Sequence, residues 1–273
     1  MIPKIIHYCW FGGKEKPNNI KQYIAGWKKQ LPDYEFIEWN EEKFTISQAP
    51  QYVKEAYEAK KYAFVSDYAR IFALYNYGGV YLDTDVEIIK PFDDYLINKS
   101  LVTGFESERS LLTAFIAVEK LHPLMNEFLN SYDSRRFVME DGTYDMTPIN
   151  VGFSALLEKR GVNLDRQEYQ ETTGGIAVYP IAYFCGFDVS NWHIKPTHET
   201  CTIHHMNASW MNGKNKFYLN SILFLQKILG YKLYDFLKDQ NVEFSFTLPC
   251  NSALRQNAVS VGVIALREYN KGN

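Results

Sequence analysis

The sequence has few cysteines, little net charge and no long apolar run among its 273 residues. The four cysteines are scattered and form no Cys-x-x-Cys pair, which disfavours a zinc ribbon or a disulfide framework and is typical of a reducing cytosol. A net charge of −3 argues against a nucleic-acid-binding surface. No stretch reaches the roughly 20 apolar residues that span a bilayer, so we expect no transmembrane segment.

The start of the chain, MIPKIIHYCWF, is too short and too polar for the core of a signal peptide. We therefore expect a cytoplasmic protein. Residues 216–238 carry an apolar stripe with lysines between, which predicts either a helix packed across the domain or a cationic amphipathic contact with the inner face of a plasma membrane. The length allows one large domain or two small ones, with a sizeable core.

The most informative stretch is residues 62–90, which predict a helix, a glycine turn and a strand. Ser66 suits a helix N-cap, and Asp67 would then lie in the first turn. The helix is apolar all round, as in a buried helix, and Gly78 and Gly79 can end it. The run from Val80 to Ile89 predicts a strand.

Strand alternation would put Asp83 and Asp85 on one face of that strand. Two neighbouring carboxylates suit a hard divalent cation, but an Asp-x-Asp triplet alone is common by chance. Asp67 and Arg70 are three residues apart, so they share a helical face. They form either part of a site or an intrahelical ion pair.

The remaining pattern alternates strands and helices, as a nucleotide-binding α/β domain does. We predict strands over 4–11, 34–39, 101–106 with Glu106 near its end, and 174–184, and helices over 18–31, 50–60 and 110–130. In a late strand, CTIHHMNASW, alternation puts His204 and His205 on opposite faces, so only one of them can face a metal. The last segment predicts a strand at VEFSFTL and a helix over 253–269.

The combination of SDYAR, residues 66–70, with YGGVYLDTD, residues 77–85, resembles the DXD glycosyltransferases of the sugar-binding-region type, glycosyltransferase family thirty-two. That family includes fungal initiating mannosyltransferases and bacterial capsular polysaccharide transferases, and clostridial toxin glucosyltransferase domains have a similar arrangement. The resemblance implies an α/β fold of the GT-A class, a Rossmann-like mixed sheet flanked by helices, with added helices. We expect this domain over 1–240 and an extension of unknown role over 241–273.

The resemblance also implies roles for individual residues. Asp83, Asp85 and His204 would hold the metal, and the imidazole favours Mn²⁺ over Mg²⁺. Asp67, Arg70 and Asp83 would act on the donor sugar as catalytic residues. The residues that bind the nucleotide-sugar donor would be His7 and Trp10 at the base and ribose, Asp67, Arg70 and Asp83 at the sugar, and Ser209 and Trp210 at the diphosphate.

The implied activity is metal-dependent, retaining transfer of a hexose or N-acetylhexosamine from a nucleotide-sugar, with UDP favoured over GDP. The acceptor would be a glycan or a lipid-linked glycan in bacterial capsule, lipopolysaccharide or exopolysaccharide synthesis. Two alternatives stay open. VYLDTDVE superficially matches the strand-borne Asp-x-Asp of haloacid-dehalogenase-like phosphatases, although that motif normally opens its domain. The other alternative is an inactive protein that binds sugar nucleotides.

Overall fold

The computed structural model describes residues 1–188, 193–206, 244–246 and 261–263. The strands are β1 (Ile5–Cys9), β2 (Glu35–Trp39), β3 (Gly79–Leu82), β4 (Val86–Ile88), β5 (Leu101–Ser107), β6 (Ser110–Leu111), β7 (Phe115–Val118), β8 (Gln170–Glu171), β9 (Ile176–Tyr179), β10 (Phe187–Asp188), β11 (His193–Ile194), β12 (Thr202–His204), β13 (Phe244–Phe246) and β14 (Val261–Val263). The helices are α1 (Asn18–Gln30), α2 (Gln51–Glu58), α3 (Tyr62–Tyr77), α4 (Asp93–Leu96), α5 (Pro123–Asn130), α6 (Ile149–Glu158) and α7 (Ile181–Phe184).

The main sheet has the strand order β2-β1-β3-β7-β5-β9-β8, with β6 paired to β5. The β2/β1, β1/β3 and β5/β9 pairs are parallel, whereas β7 is antiparallel to both of its neighbours. Helices pack on this sheet, so the predicted class, a mixed α/β sheet flanked by helices, is confirmed. The carboxyl ends of β1, β2 and β3 meet at one edge, where open α/β sheets bind ligands.

Helix α3 is the buried helix that the sequence predicts, but it begins earlier. It runs from Tyr62, so Ser66 lies inside the helix and its hydroxyl donates to the Tyr62 carbonyl at 3.0 Å. The expectation of an N-cap at Ser66 is therefore wrong. The helix ends at Gly78, whose φ is +67° and where a Cβ would come within 2.6 Å of the Lys120 nitrogen. Only glycine fits that position without strain.

The predicted long strand from Val80 to Ile89 is divided in two. Strand β3 belongs to the main sheet, whereas β4 pairs with β12 in a separate antiparallel ladder. The residues between them form a turn closed by a hydrogen bond from the Val86 N–H to the Asp83 carbonyl at 3.0 Å. Asp83 and Asp85 therefore lie together because of this turn, which we call the DXD turn, and not because of strand alternation.

Other predicted boundaries also change. The segment 110–130 is not one helix, because β6, β7 and only then α5 occupy it, and Pro123 begins that helix. The segment 174–184 contains β9, after which Pro180 precedes the short helix α7. Within 253–269, the described residues 261–263 form β14, so a continuous helix there is wrong.

Contacts divide the chain into two units. The first comprises residues 1–189 and 194–210, and the second comprises 190–193 and 211–273. In the second unit, the described strands β13 and β14 pair antiparallel. The expected boundary between residues 240 and 241 falls outside the described residues and stays a prediction, as does the expected helix over 216–238. Among the described residues, no helix has the length and apolarity needed to cross a bilayer.

Candidate active site

The DXD turn is fixed at both ends by backbone hydrogen bonds. The Asp83 N–H donates to the Ala114 carbonyl at 3.0 Å, and the His205 N–H donates to the Asp85 carbonyl at 3.0 Å. The first bond attaches the turn to the main sheet and the second attaches it to the chain after β12. The backbone geometry of the turn is thus fixed on one side by the main sheet and on the other side by the segment that follows β12.

Asp83, Asp85 and His204 meet at this turn. One ligand atom from each lies within 4.8 Å of the others, and His204 Nε2 is 3.4 Å from Asp85 Oδ1. His204 is only 9% exposed, and its backbone N–H donates to the Cys185 carbonyl at 2.8 Å. Burial lowers the pKa of the imidazole, but the carboxylates around it, Asp85 foremost, raise that pKa to about 9.

This set of donors fits a divalent cation. Carboxylate oxygens are the ligands that Mg²⁺ and Mn²⁺ prefer, and one imidazole nitrogen is compatible with Mn²⁺. The close approach of Asp83 and Asp85 is electrostatically unfavourable unless a positive charge lies nearby. In the protein that charge comes from Arg70 on one side and from His204 on the other. The carboxylates are therefore already arranged around positive charge.

Arg70 connects α3 to the DXD turn. Its Nη2 lies 2.9 Å from Asp67 Oδ1 and 3.2 Å from Asp83 Oδ1, and its Nη1 donates to the Thr113 carbonyl at 2.8 Å. The guanidinium also lies over the Tyr81 ring, 4.5 Å from its centroid. Burial alone would lower the pKa of Arg70, but the surrounding carboxylates, Asp83 foremost, raise it, so this side chain is always charged.

Asp67 and Arg70 thus form a buried ion pair, with side chains 13% and 6% exposed. Burial raises the pKa of Asp67 to about 6, although Arg70 acts in the opposite direction. The ion-pair interpretation and the site interpretation are both compatible with this geometry, because the same guanidinium also binds Asp83. The pair is not the weak, solvent-exposed kind.

His205 directly follows β12, and its ring has different neighbours from the His204 ring. Its ring stacks on Tyr23 with centroids 4.7 Å apart, and its Nε2 lies 2.9 Å from Glu87 Oε2. The ring is therefore engaged away from the cluster of Asp83, Asp85 and His204. Of the two histidines, His204 is the one whose ring lies beside the carboxylates of the DXD turn, whereas His205 contacts the turn through its backbone N–H.

His7 and Trp10, both assigned to the nucleotide, lie in different environments. His7 is fully buried, with Nε2 2.8 Å from the Gly78 carbonyl and Nδ1 accepting from Trp39 Nε1 at 3.1 Å. Burial lowers its pKa to about 4, although the bond to Gly78 acts in the opposite direction. Both ring nitrogens are occupied within the core, so the structure does not place His7 where it could contact a donor.

Trp10 is half-buried and lines a cavity of about 510 Å³. The cavity lies at the carboxyl ends of β1 and β2, and its walls include Glu41, Tyr57 and Tyr62. The Trp10 indole N–H donates to the Lys14 carbonyl at 2.6 Å, which fixes the ring. This cavity has space and an aromatic face for a planar ligand. Ser209 and Trp210, assigned to the diphosphate, lie outside the described residues.

Three residues of the site were not assigned from the sequence. The Tyr81 hydroxyl donates to Asp83 Oδ1 at 2.9 Å. Glu106 lies with Oε1 3.7 Å from His204 Nδ1, and Asn150 Nδ2 donates to Glu106 Oε2 at 2.9 Å. Burial raises the pKa of Glu106. The sequence does place Glu106 near a strand end, but its neighbourhood to His204 depends on contacts almost one hundred residues apart.

Residues 17–102 match the family described as the glycosyltransferase sugar-binding region containing a DXD motif. The matched range includes α1, α3, β3 and both carboxylates of the DXD turn. It therefore covers the residues from which the resemblance was drawn.

Named proteins from fission yeast, Schizosaccharomyces pombe, match part of the chain. Inositol phosphoceramide mannosyltransferase 3 is 36% identical over 103 residues, which are 35% of this chain and 27% of that protein. Inositol phosphoceramide mannosyltransferase 1 is 26% identical over 140 residues, which are 48% of this chain and 42% of that protein. The chain thus spans less than half the length of either.

A solved glycosyltransferase involved in the glycosylation of the major capsid of PBCV-1 matches 80% of this chain and 100% of its own, with 10% identity and a TM-score of 0.44.

The family match and the named relatives agree with the motif at residues 66–85. Residues 17–102 thus match a DXD-containing sugar-binding region of the glycosyltransferase type, which confirms the resemblance drawn from the sequence.

Proposed function

We propose that the protein is a metal-dependent, retaining glycosyltransferase that uses a nucleotide-sugar donor. The observation that carries this proposal is the cluster of Asp83, Asp85 and His204, whose two carboxylates lie inside the region 17–102 that matches the DXD family. A divalent cation held there would neutralise the charge that develops on the leaving nucleoside diphosphate. The metal favoured is Mn²⁺, with Mg²⁺ as the alternative, because one of the three ligands is an imidazole.

The protein's own residues orient the donor beside this cluster. Arg70 is held by Asp67, Asp83 and the Thr113 carbonyl, so its position is fixed before any ligand binds. A charged side chain that is already fixed in place can stabilise the transition state without having to reorganise during the reaction. Asp67 and Arg70 would bind sugar hydroxyls, and Asp83 would connect the donor with the metal's waters. In the proposed retaining transfer, the acceptor hydroxyl attacks the anomeric carbon from the face on which the nucleoside diphosphate leaves, so no nucleophilic side chain is required.

The nucleobase would occupy the cavity beside Trp10 and stack on that indole. The sequence resemblance favours a UDP-sugar that carries a hexose or N-acetylhexosamine. The two yeast relatives are named mannosyltransferases, which makes mannose the first hexose to test and GDP-mannose a donor to set against the UDP-sugars. Ser209 and Trp210 remain the residues proposed for the diphosphate.

The proposed acceptor is a glycan or a lipid-linked glycan of the kind used in bacterial capsule, lipopolysaccharide or exopolysaccharide synthesis. A cytoplasmic enzyme that contacts the inner membrane face through residues 216–238 would meet such an acceptor. The proposed catalytic domain is 1–240, followed by the extension 241–273. These assignments rest on the sequence resemblance and on the site at the DXD turn.

A donor screen tests the proposal. Purified protein is incubated with a panel of UDP-sugars and GDP-sugars, with Mn²⁺, with Mg²⁺ and with a chelator, and release of the nucleoside diphosphate is measured. We expect hydrolysis of one donor that requires the metal and is lost in Asp85→Ala. The anomeric configuration of a transferred sugar, determined by NMR, then tests retention.

The same screen separates the alternatives. A phosphatase would release inorganic phosphate from phosphate esters without a sugar requirement. In the protein, the DXD turn follows β3 and not the first strand, and this position argues against the phosphatase arrangement. An inactive binder would take up the donor and the metal without turnover. Metal-dependent binding with no hydrolysis and no transfer to any glycan acceptor would therefore reject the proposed activity.

A further inference from the structure

The imidazole of His204 lies between two carboxylates. Its Nε2 is 3.4 Å from Asp85 Oδ1, and its Nδ1 is 3.7 Å from Glu106 Oε1. Nδ1 is buried and has no hydrogen-bond partner among the described residues. A buried ring nitrogen without a partner destabilises the folded state, so an acceptor next to Nδ1 has a clear energetic role.

Glu106 is placed next to Nδ1 by the end of β5 and by one further contact. Its Oε2 accepts a hydrogen bond from Asn150 Nδ2 at 2.9 Å, and the same amide nitrogen lies 2.9 Å from Ser110 Oγ. Asn150 belongs to the first turn of α6, so a helix from outside the sheet holds this carboxylate. Oε2 is thereby engaged, and Oε1 is the oxygen nearest the His204 ring.

We propose that Glu106 is a positioning residue for His204 and that Asn150 orients Glu106. The inference rests on the proposed metal site. When Nε2 is the ligand, Nδ1 carries the ring proton, and Glu106 Oε1 accepts it in a hydrogen bond. The bond that one ring nitrogen makes fixes which nitrogen is available to the metal and how the ring is rotated.

The separation of 3.7 Å is longer than a hydrogen bond, and a small rotation of the imidazole or the carboxylate closes it. Such contacts are often long in ligand-free sites and shorten when the ligand binds. Glu106 Oε1 faces the His204 ring, so we expect the effect of Glu106 to act through His204. The series of side-chain contacts from Asn150 through Glu106 to His204 thus links α6 to the DXD turn.

Binding of two probe metals distinguishes a Glu106 that positions the His204 ring from a Glu106 that only stabilises the folded structure. Co²⁺ accepts imidazole nitrogen readily and gives a visible absorption spectrum that reports its ligands, whereas Mg²⁺ prefers oxygen ligands. Binding of each is titrated to the purified chain, without any donor. The variants are Glu106→Met, which keeps the length but removes the acceptor, Glu106→Gln, which keeps an acceptor oxygen, and Asn150→Ala. Glu108→Met is the matched control, because Glu108 is exposed on the same segment.

We expect Glu106→Met to lower the Co²⁺ affinity about 10- to 100-fold and to change the Co²⁺ spectrum, with a much smaller change in Mg²⁺ affinity. Glu106→Gln should recover most of the loss, and Asn150→Ala should show a smaller loss than Glu106→Met. Glu108→Met should bind both metals like the wild type. Equal losses for Co²⁺ and Mg²⁺ in Glu106→Met would indicate structural damage and overturn the inference.

His204→Ala makes the result decisive. If His204→Ala loses Co²⁺ affinity but Glu106→Met does not, Glu106 has no positioning role, and the proposed metal site stands. If His204→Ala binds Co²⁺ like the wild type, or if the wild type binds neither metal, the metal assignment itself is rejected, and the inference is rejected with it. These outcomes distinguish a failure of the inference from a failure of the proposed function.

Discussion

Arg70 Nη2 lies 3.2 Å from Asp83 Oδ1, so a side chain of the buried helix α3 holds the first carboxylate of the DXD turn. The same nitrogen binds Asp67, which belongs to the same helix. Motion of α3 would therefore be transmitted to the turn that carries the proposed metal ligands. The two parts of the sequence motif, SDYAR and YGGVYLDTD, meet through this one guanidinium.

Asp85→Ala should abolish metal-dependent turnover and leave the fold intact. The substitution removes one of three proposed ligands but keeps the backbone carbonyl that accepts from the His205 N–H. We expect donor hydrolysis to fall at least about 100-fold at a Mn²⁺ concentration that saturates the wild type. Substitution of a residue that only supports a metal ligand already lowers metal affinity or activity by about 10- to 100-fold, and loss of a ligand should lower it further. A coupled assay for the nucleoside diphosphate measures the loss. Asp94→Ala is the control, since Asp94 is exposed on α4.

Near-normal hydrolysis by Asp85→Ala at ordinary Mn²⁺ concentration would contradict the metal assignment. Circular dichroism of the variant should match the wild type, because the carboxylate is not part of the hydrophobic core. A circular dichroism spectrum without the wild-type features would mean that Asp85→Ala loses activity because it does not fold. In that event Asp85→Asn, which keeps the shape and removes the charge, replaces it in the assay.

His204→Ala should weaken Mn²⁺ binding more than His205→Ala does. The His204 ring lies 3.4 Å from Asp85, whereas the His205 ring is stacked on Tyr23 and bonded to Glu87. Electron paramagnetic resonance of free Mn²⁺ in a titration gives both dissociation constants. Equal losses, or a greater loss for His205→Ala, would reverse the assignment of the ligand.

Local pattern predicts much of the fold. Strands β1 and β2, helices α1 and α2 and the buried helix α3 follow from apolar spacing and from the prolines and glycines between them. Pro17 and Pro50 stand directly before α1 and α2, where their fixed φ suits a helix start. The segment 110–130 is different. Its apolar run is compatible with either a strand or a helix, and pairing with β3 and β5 decides for strands.

The site itself was predictable only in part. Asp67, Arg70, Asp83 and Asp85 stand together in one stretch of sequence, but the turn that brings the two carboxylates together requires β4 to leave the main sheet and pair with β12. Strand alternation therefore predicts correctly that Asp83 and Asp85 are neighbours, although the turn between β3 and β4 is what brings them together. For His7, the pattern could not separate a core residue from a ligand contact, because both occur near a strand end.

Glu55 should stabilise the fold in a pH-dependent way. Its buried carboxylate accepts from Arg136 Nε at 2.7 Å and from the backbone N–H groups of Phe137 and Val138 at 2.8 and 3.0 Å. Burial raises its pKa, but these bonds, together with one from the Gln51 side chain, lower the pKa from 4.5 to about 2. The carboxylate thus ties α2 to the segment that follows α5.

The direction of the pH effect follows from the lowered pKa. The folded state binds the proton more weakly than the unfolded chain does, so the stabilisation is complete above about pH 5 and is lost as the pH falls from 4.5 toward 2. Glu55→Gln should lower the free energy of unfolding by about 1–3 kcal/mol at pH 7. The difference from the wild type should shrink at pH 3. Urea unfolding at both pH values measures it, and Glu58→Gln, exposed on the same helix, is the control. A difference that does not change with pH would exclude the ionised carboxylate as its source.

Asp67→Asn should reduce sugar transfer and spare the binding of the free nucleoside diphosphate. Asparagine keeps the shape and an acceptor oxygen for Arg70, but it removes the charge. Hydrogen bonds to sugar hydroxyls that strengthen only in the transition state lower turnover more than affinity. We expect turnover to fall about 10- to 100-fold, with the affinity for UDP or GDP plus Mn²⁺ changed less than about 3-fold. Calorimetry and the coupled assay measure the two quantities, and Asp133→Asn, at an exposed site, is the control.

The competing interpretation is that Asp67 and Arg70 only stabilise the fold. A purely structural pair predicts that Asp67→Asn, which removes one charge of a buried pair, lowers the free energy of unfolding but leaves the turnover of the molecules that remain folded unchanged. A sugar-binding pair predicts a loss of turnover in the molecules that remain folded, whatever the change in stability. Turnover per folded molecule, with the folded fraction taken from urea unfolding, therefore decides between them. Equal losses of nucleotide affinity and turnover would instead move both residues out of the sugar site and toward the nucleotide.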